Sequence, residues 1–180
     1  MRVCFHSGPI FLLALVTLCP VHAGGAQPPG EQYRELVLEI QQHIEGNDLE
    51  GARALIAGGR TRFPANGGLE NLSGVIEIQE GHTDRAIQQF SAAILHDPKL
   101  TGAYLNLGRI YMQKAESDKA ARTAALRVYE KLLLVEPGNG EANYQAAMLL
   151  MWEQNYQRSL EHLARLWHSR NRGDPGLRLE

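Results

Sequence analysis

The chain has 180 residues, of which 44% are hydrophobic and 21% charged. This composition argues against a disordered chain and is that of one globular domain of ordinary size. The formal net charge is -2, and the sequence has none of the Lys and Arg clusters that a nucleic-acid-binding surface usually carries. We therefore expect no nucleic-acid partner.

A secretory signal peptide is predicted over residues 1–23. Arg2 precedes an apolar run from Ile10 to Leu18, and the segment ending at Ala23 supplies the residues that a signal peptidase accepts. The run is shorter than the roughly 20 apolar residues that span a bilayer. We therefore expect an exported protein, periplasmic or secreted, with no stable membrane insertion after cleavage. A buried N-terminal helix and an uncleaved anchor are the alternatives.

Both cysteines, Cys4 and Cys19, lie inside the predicted signal, so the mature chain would contain no disulfide and no cysteine nucleophile. Leu18 stands where a lipoprotein signal needs a small residue before the cysteine, which disfavours lipidation. Residues 24–30 are rich in Gly, Pro and Gln and are predicted to be a flexible leader.

From Glu31 onward, apolar residues follow helical spacing in pairs of segments separated by short breaks. Breaks at Gly46 and Gly81 divide the first two pairs, and Pro64, Pro98 and Pro137 close the first three. The four predicted helix-turn-helix units are residues 31–66, 67–100, 101–139 and 140–170, followed by a tail at 171–180.

The units repeat in sequence. Pro64 and Pro98 are 34 residues apart, and a small residue recurs at one slot as Gly74, Gly108 and Ala147. Before the closing proline, the second unit has Ala86, Phe90 and Ala93, and the third has Ala125, Tyr129 and Leu132. A period of this length predicts a helical solenoid in which small residues let two helices approach closely.

These residues resemble the tetratricopeptide-repeat family. The third unit carries most of the motif, with Tyr104, Leu107, Gly108, Tyr111, Ala125, Tyr129 and Pro137. The second unit departs from it, because Glu77 stands where an aromatic residue belongs. The resemblance covers about residues 31–170. It implies an all-α, right-handed solenoid of about four repeats that binds a protein or peptide in its concave groove.

The third unit is longer than the others, since Pro98 and Pro137 are 39 residues apart. The extra residues fall within 113–124, which is rich in strong helix formers. They would either lengthen both helices of the unit or form a neutral insertion in its loop.

In the resembled family the first helix of each unit lines the groove, and the matching slots here become more apolar toward the C-terminus. Met and Trp on a surface that should be exposed to solvent indicate recognition of an apolar peptide or helix. The alternative is that a neighbouring helix of the same chain covers them. The slots hold Asn71, Val75, Ile78, Gln79, Leu105, Asn106, Arg109, Met112, Gln113, Tyr144, Met148, Met151 and Trp152.

Two other kinds of groove ligand are less well supported. Some family members clamp a C-terminal carboxylate with Lys and Asn, but only Asn106 fits that pattern and Glu141 would repel a carboxylate. A small-molecule or glycan site needs several inward polar groups, for which the candidates are Asn71, Asn106, Arg109 and Gln113.

No residues support catalysis, a cofactor or a metal. Gly-x-Ser-x-Gly turns and Gly-rich phosphate loops are missing, and His162 and His168 are six residues apart, on different sides of a helix. The tripeptide Arg172-Gly173-Asp174 is assigned no role, because three common residues in this order arise often by chance.

The predicted function is a non-enzymatic adaptor or scaffold, acting in assembly or secretion at a bacterial envelope. The alternative is a structural subunit, or part of a longer solenoid, that self-associates through its last helix. On that helix Leu160, Leu163, Leu166 and Trp167 follow helical spacing, and a terminal repeat normally needs a polar cap. We therefore expect this apolar surface to be covered by a partner, by a second copy or by further chain, with a tail that folds back from Leu177 as the alternative.

Overall fold

The computed structural model describes residues 29–170 of the chain, and side chains from residue 30 to residue 167. This part forms eight α-helices and no strand. The helices are α1 (Pro29–Glu45), α2 (Leu49–Arg62), α3 (Gly67–Gln79), α4 (Thr83–His96), α5 (Thr101–Met112), α6 (Lys119–Val135), α7 (Gly140–Trp152) and α8 (Tyr156–Arg170). The predicted signal, both cysteines and the Arg-Gly-Asp tripeptide lie outside the described residues.

The helices stack as consecutive antiparallel pairs, so the predicted all-α repeat solenoid is confirmed. We call α1, α3, α5 and α7 the first helices of the four pairs, and α2, α4, α6 and α8 the second helices. Helix α1 begins at Pro29, so the last two residues of the predicted leader are helical. Proline suits a first turn because its fixed φ is already helical and its missing N–H would have no helical partner there.

Polar residues just before the helices fix where they begin. The side chains of Asp48, Asn66, Asp118 and Asn139 each accept a hydrogen bond from a backbone N–H in the first turn of α2, α3, α6 and α7. Such caps satisfy donors that a helix leaves unpaired at its start. The closing prolines lie one residue beyond the caps at the ends of α2, α4 and α6, where a helix cannot continue.

Three of the four hairpin turns share one conformation. Asn47, Gly81 and Gln154 have φ of 58°, 79° and 59°, in the left-handed region. Each follows the end of a first helix and reverses the chain within three residues. The first, second and fourth hairpins therefore close in the same way.

The third hairpin differs, and the difference accounts for its extra length. Helix α6 has 17 residues against 14 in α4, whereas α5 is not lengthened. The connecting segment has six residues, 113–118, in place of three. Arg122 ties this segment down by donating from Nε to the carbonyl of Ala115 at 3.0 Å and from Nη2 to that of Glu116 at 3.1 Å. The insertion is thus an ordered turn that lengthens one helix only.

Two apolar clusters form the core. One joins α1, α2 and α3, and the other runs from α4 to α7. Val75 packs against both clusters and links them. In the second cluster the rings of Phe90 and Tyr129 are buried against the small-residue slots of α3 and α5.

The departure from the repeat motif at Glu77 is compensated by an ion-pair network around its buried carboxylate. Arg53 of α2 donates to Glu77 Oε1 at 2.9 Å and also contacts Glu80, while His82 Nδ1 lies 3.1 Å from Glu77 Oε2. Burial raises the pKa of Glu77, but the hydrogen bond and charge of Arg53, with His82 and Arg85, outweigh it and leave the pKa below its usual value. A charged network thus joins the first two units where the family uses an aromatic ring.

None of the helices in the described range 29–170 is both long and apolar enough to cross a membrane.

Candidate functional site

The predicted groove residues lie on the first helices α3, α5 and α7, except Gln113, which follows the end of α5. Many of them already make contacts within the protein. Residues one repeat apart occupy equivalent slots on neighbouring helices. Ile78, Met112 and Met151, for example, lie in the last turn of α3, α5 and α7.

Two polar contacts join neighbouring first helices. Asn106 of α5 donates from Nδ2 to Asn71 Oδ1 of α3 at 3.2 Å. Arg109 of α5 donates to both carboxylate oxygens of Glu141 on α7, at 2.8 and 2.6 Å. The bonded charge of Glu141 keeps the guanidinium of Arg109 protonated and raises its pKa. Three of the four polar groups considered for a small-molecule site are therefore paired internally, which weakens that alternative.

Three of the predicted apolar residues are largely covered. Val75, Leu105 and Met112 are partly buried and pack against the core clusters. Their position agrees with the alternative in which neighbouring helices cover the slots. They contribute to stacking and leave little surface for a ligand.

Helix α7 offers more apolar surface. Tyr144 is 51% exposed and Met151 is 45% exposed, and both lie on one side of the helix with the partly buried Met148 between them. On α3, two units earlier, Ile78 is the exposed apolar residue of the set. The exposed apolar surface of the predicted groove is therefore largest on α7, whereas Leu105 and Met112 on α5 are partly buried.

Trp152 lies at the edge of this surface. The guanidinium carbon of Arg122 lies 5.8 Å from the centre of its ring, which is a cation–π contact. Trp152 also lines an open cleft of about 510 Å³ beside the start of α6, with Lys119, Arg122, Thr123, Glu153 and Gln154. The ring thus lies against Arg122, which also bonds the inserted turn of the third hairpin.

The hydroxyl of Tyr129 on α6 lies close to Gly108 of α5. It is buried and has no hydrogen-bond partner among the described residues. Burial and the charge of Glu141 raise the pKa of Tyr129 to about 12, so the hydroxyl stays protonated. The sequence analysis identified Tyr129 as part of the repeat motif, but nothing in the sequence pointed to its unpaired oxygen.

A second cleft, of about 560 Å³, lies between α6 and α8, away from the first helices. Its walls carry both signs of charge, and Arg158 is already paired with Glu130 across it. The buried ring of His162 also borders it and bonds Asn143 of α7 at 3.0 Å. The sequence analysis did not identify this cleft, because its residues come from two helices that are neighbours only in the folded solenoid.

Glu77, Glu80 and His82 place three potential metal-ligand atoms within 4.8 Å of one another. Arg53 already bonds both carboxylates, and His82 bonds Glu77. This arrangement satisfies the charges without an ion, so we interpret it as a structural network.

Neither the sequence models of known families nor curated protein sequences match this chain. Solved structures do. A crystal structure of MamA matches with a TM-score of 0.62 and 14% identity over 77% of this chain and 78% of that one. A tetratricopeptide repeat protein from Parabacteroides merdae matches with 0.62 and 23% identity over 81% of this chain and 56% of that one. The Cut9-Hcn1 hetero-tetramer matches with 0.56 and 18% identity over 74% of this chain and 26% of that one.

Proposed function

We propose that this chain, whose fold is that of the tetratricopeptide-repeat proteins, is an adaptor that binds a protein or peptide on the face of its first helices. The observation that carries the proposal is the exposed apolar side of α7, formed by Tyr144, Met148 and Met151. Exposed methionine and tyrosine side chains suit recognition, since Met adapts to different shapes and Tyr offers a ring and a hydroxyl.

The rest of this face is suited to positioning a partner. The bonded pairs Asn71 with Asn106 and Arg109 with Glu141 form a polar path leading to α7. A partner bound along this path would contact paired polar groups on α3 and α5 and apolar side chains on α7. We therefore propose a ligand segment with an apolar anchor that docks on α7 and polar residues that cross α5. One structure of this fold is of a hetero-tetramer, Cut9-Hcn1, which agrees with a role in protein complexes.

A peptide-display selection on the exported protein tests the proposal. Met151→Glu places a charge in the apolar surface and should weaken binding of the selected peptides by at least about tenfold. Leu95→Glu is the matched control, because Leu95 is a 77% exposed residue on α4, a second helix. Equal binding by the wild-type protein and the Met151 variant would contradict the site. Equal loss in both variants would also contradict it.

We also propose that the adaptor acts outside the cytoplasm, in envelope assembly or secretion. The support is the predicted signal, with its short apolar run ending before Ala23. Mass spectrometry of the exported protein should find an N-terminus near Gly24. Soluble protein that retains Met1 would contradict this proposal without affecting the proposed binding face.

A further inference from the structure

The last helix carries an exposed apolar stripe that the proposed binding face does not use. Tyr156, Leu160, Leu163 and Trp167 lie along one side of α8, and each is exposed. Leu160 is 65% exposed and Trp167 is 57% exposed. The residues recur at intervals of four, three and four, the spacing of a helix-packing seam. We call these four residues the α8 stripe.

Three of the four equivalent residues of each of the second helices α4 and α6 pack in a core cluster that also includes the helix that follows them, and Phe90 and Tyr129 lie against the first helix of their own hairpin as well. In α4 the matching residues are Ile87, Phe90 and Ile94, which pack in the same cluster as α5. In α6 they are Leu126, Tyr129 and Leu133, which are buried together with α7. Within residues 29–170 no helix takes this place on α8. The stripe therefore resembles a helix-stacking surface on which none of the described residues stacks a further helix.

We infer that the α8 stripe is the interface of a two-fold dimer, in which α8 of a second copy lies antiparallel to it. The spacing of the stripe reads the same in both directions along the helix. An antiparallel pair therefore places Leu160 opposite Leu163 of the second copy and Tyr156 opposite Trp167 of the second copy. Such self-complementarity is what a two-fold interface requires. Ala164, exposed beside the stripe, lets the helices approach closely.

The opposite end of the solenoid is a poor partner for the stripe. On α1 the exposed surface consists mainly of charged and amide side chains, with Leu38 as its large exposed apolar residue. Stacking α8 on α1 of another copy would bury several charges against leucine and tryptophan, which costs free energy. Head-to-tail growth into a filament is therefore disfavoured relative to a closed dimer.

The small size of the interface indicates a weak association. An aromatic side chain has roughly 150–250 Å² of surface, so the exposed parts of Tyr156 and Trp167 supply about 200 Å² per copy. With Leu160, Leu163 and the described flanking residues of α8, the paired surfaces bury roughly 700–1,000 Å², at or just below the lower limit of specific interfaces. We expect a reversible dimer with a dissociation constant in the micromolar range.

Sedimentation of the whole exported protein, from about 1 to about 200 μM, tests the dimer. The mean mass should rise from monomer to dimer with concentration. Leu160→Glu should raise the dissociation constant at least about tenfold, since it places a charge in the seam. Leu95→Glu is the control at a similarly exposed leucine and should leave the dimer intact. A wild-type monomer at every concentration, as expected if residues 171–180 cover the stripe, would overturn the inference.

A mixing experiment tests the antiparallel geometry. Leu160→Glu and Leu163→Lys should each weaken self-association. An equal mixture should form a heterodimer, because the carboxylate introduced in one copy then faces the ammonium group introduced in the other. Circular dichroism must show native helicity in both variants. Failure of the folded variants to associate on mixing would overturn the antiparallel arrangement. Peptide binding on α7 is measured separately, so failure here leaves the proposed function standing.

Discussion

Gly108 of α5 lies directly against the ring of Tyr129 on α6. A Cβ atom added to Gly108 would be 2.6 Å from Cζ of that ring, closer than side-chain carbons approach in proteins. Gly74 and Phe90 show the same relationship one repeat earlier, with a distance of 2.6 Å to Cε1. In each hairpin, a missing side chain on the first helix makes room for an aromatic ring on the second.

Gly108→Ala should therefore destabilise the protein by about 1–3 kcal/mol, because the buried ring cannot move away without disturbing the core. Gly102→Ala, in the same helix, is the control. The nearest atom to a Cβ there is Asn71 Nδ2 at 3.9 Å, so the better helix propensity of Ala should stabilise by about 0.5–1 kcal/mol. Urea unfolding of both variants measures the difference. Equal effects of the two substitutions would contradict the close packing at Gly108.

This contact could be predicted from the sequence because it repeats. Gly74 and Gly108 recur at one slot, and Phe90 and Tyr129 recur at another, so a single packing arrangement explains both pairs. The helix pairs and their closing prolines follow from the same periodicity. Because the same pairing occurs in two repeats, each pair supports the inference drawn from the other.

Phe90→Ala and Tyr129→Ala should each cost about 3–5 kcal/mol, because both rings are fully buried and truncation leaves a cavity. Tyr129→Phe separates the ring from its oxygen. Its buried hydroxyl has no partner among the described residues, so its removal should be neutral or stabilise by up to about 1 kcal/mol. Denaturant unfolding distinguishes these outcomes. A loss above about 2 kcal/mol in Tyr129→Phe would mean that the hydroxyl makes a strong hydrogen bond in solution.

Removal of Arg53 should destabilise the junction between the first two units by about 1–3 kcal/mol, since it leaves the buried carboxylate of Glu77 less well paired. Because the folded state lowers the pKa of Glu77, this stabilisation is present above the unfolded pKa and is lost as the pH falls through the folded value. Arg53→Ala and Glu77→Gln should therefore be strongly coupled in a double-mutant cycle at neutral pH.

The exposed pair of Arg109 and Glu141 provides the control cycle. Its coupling should be about 0.2–1 kcal/mol, because water screens both groups. A coupling at Arg53 and Glu77 no larger than this would show that the network around Glu77 does not hold the two units together.

Side-chain pairs between units could not be predicted from the sequence. Glu77 was recognisable as a departure from the repeat, but its partner Arg53 lies 24 residues away on a helix of the preceding unit. Arg109 and Glu141 are about one repeat apart, which is the weak signal available for their pairing. Which rotamers meet depends on how the helices stack, and a pattern of residue types does not contain that information. Several predicted groove residues proved to be paired or packed for this reason.

The ring of His162 has a defined tautomer. Asn143 uses both hydrogens of its Nδ2 for the carbonyls of Pro137 and Asn139, at 2.9 Å each, so its Oδ1 must accept. Nδ1 of His162, 3.0 Å away, is therefore the donor, and Arg165 Nη1, 3.4 Å from the same nitrogen, makes no hydrogen bond with it in this tautomer. Burial and the charge of Arg165 lower the pKa of His162, so the folded state holds the ring neutral.

Stability should consequently fall as the solution becomes mildly acidic. In the unfolded chain His162 binds a proton near pH 6.5, whereas the folded protein binds it only at lower pH. The unfolded state thus gains protons first, and stability is lost between about pH 6.5 and the folded pKa, at up to about 1.4 kcal/mol per pH unit. His162→Gln keeps an N–H for Asn143 but does not titrate, so it should flatten this part of the curve. His96→Gln, which removes an exposed histidine, is the comparison in urea unfolding between pH 5 and 8. A His162 variant with the wild-type slope would contradict the neutral buried ring.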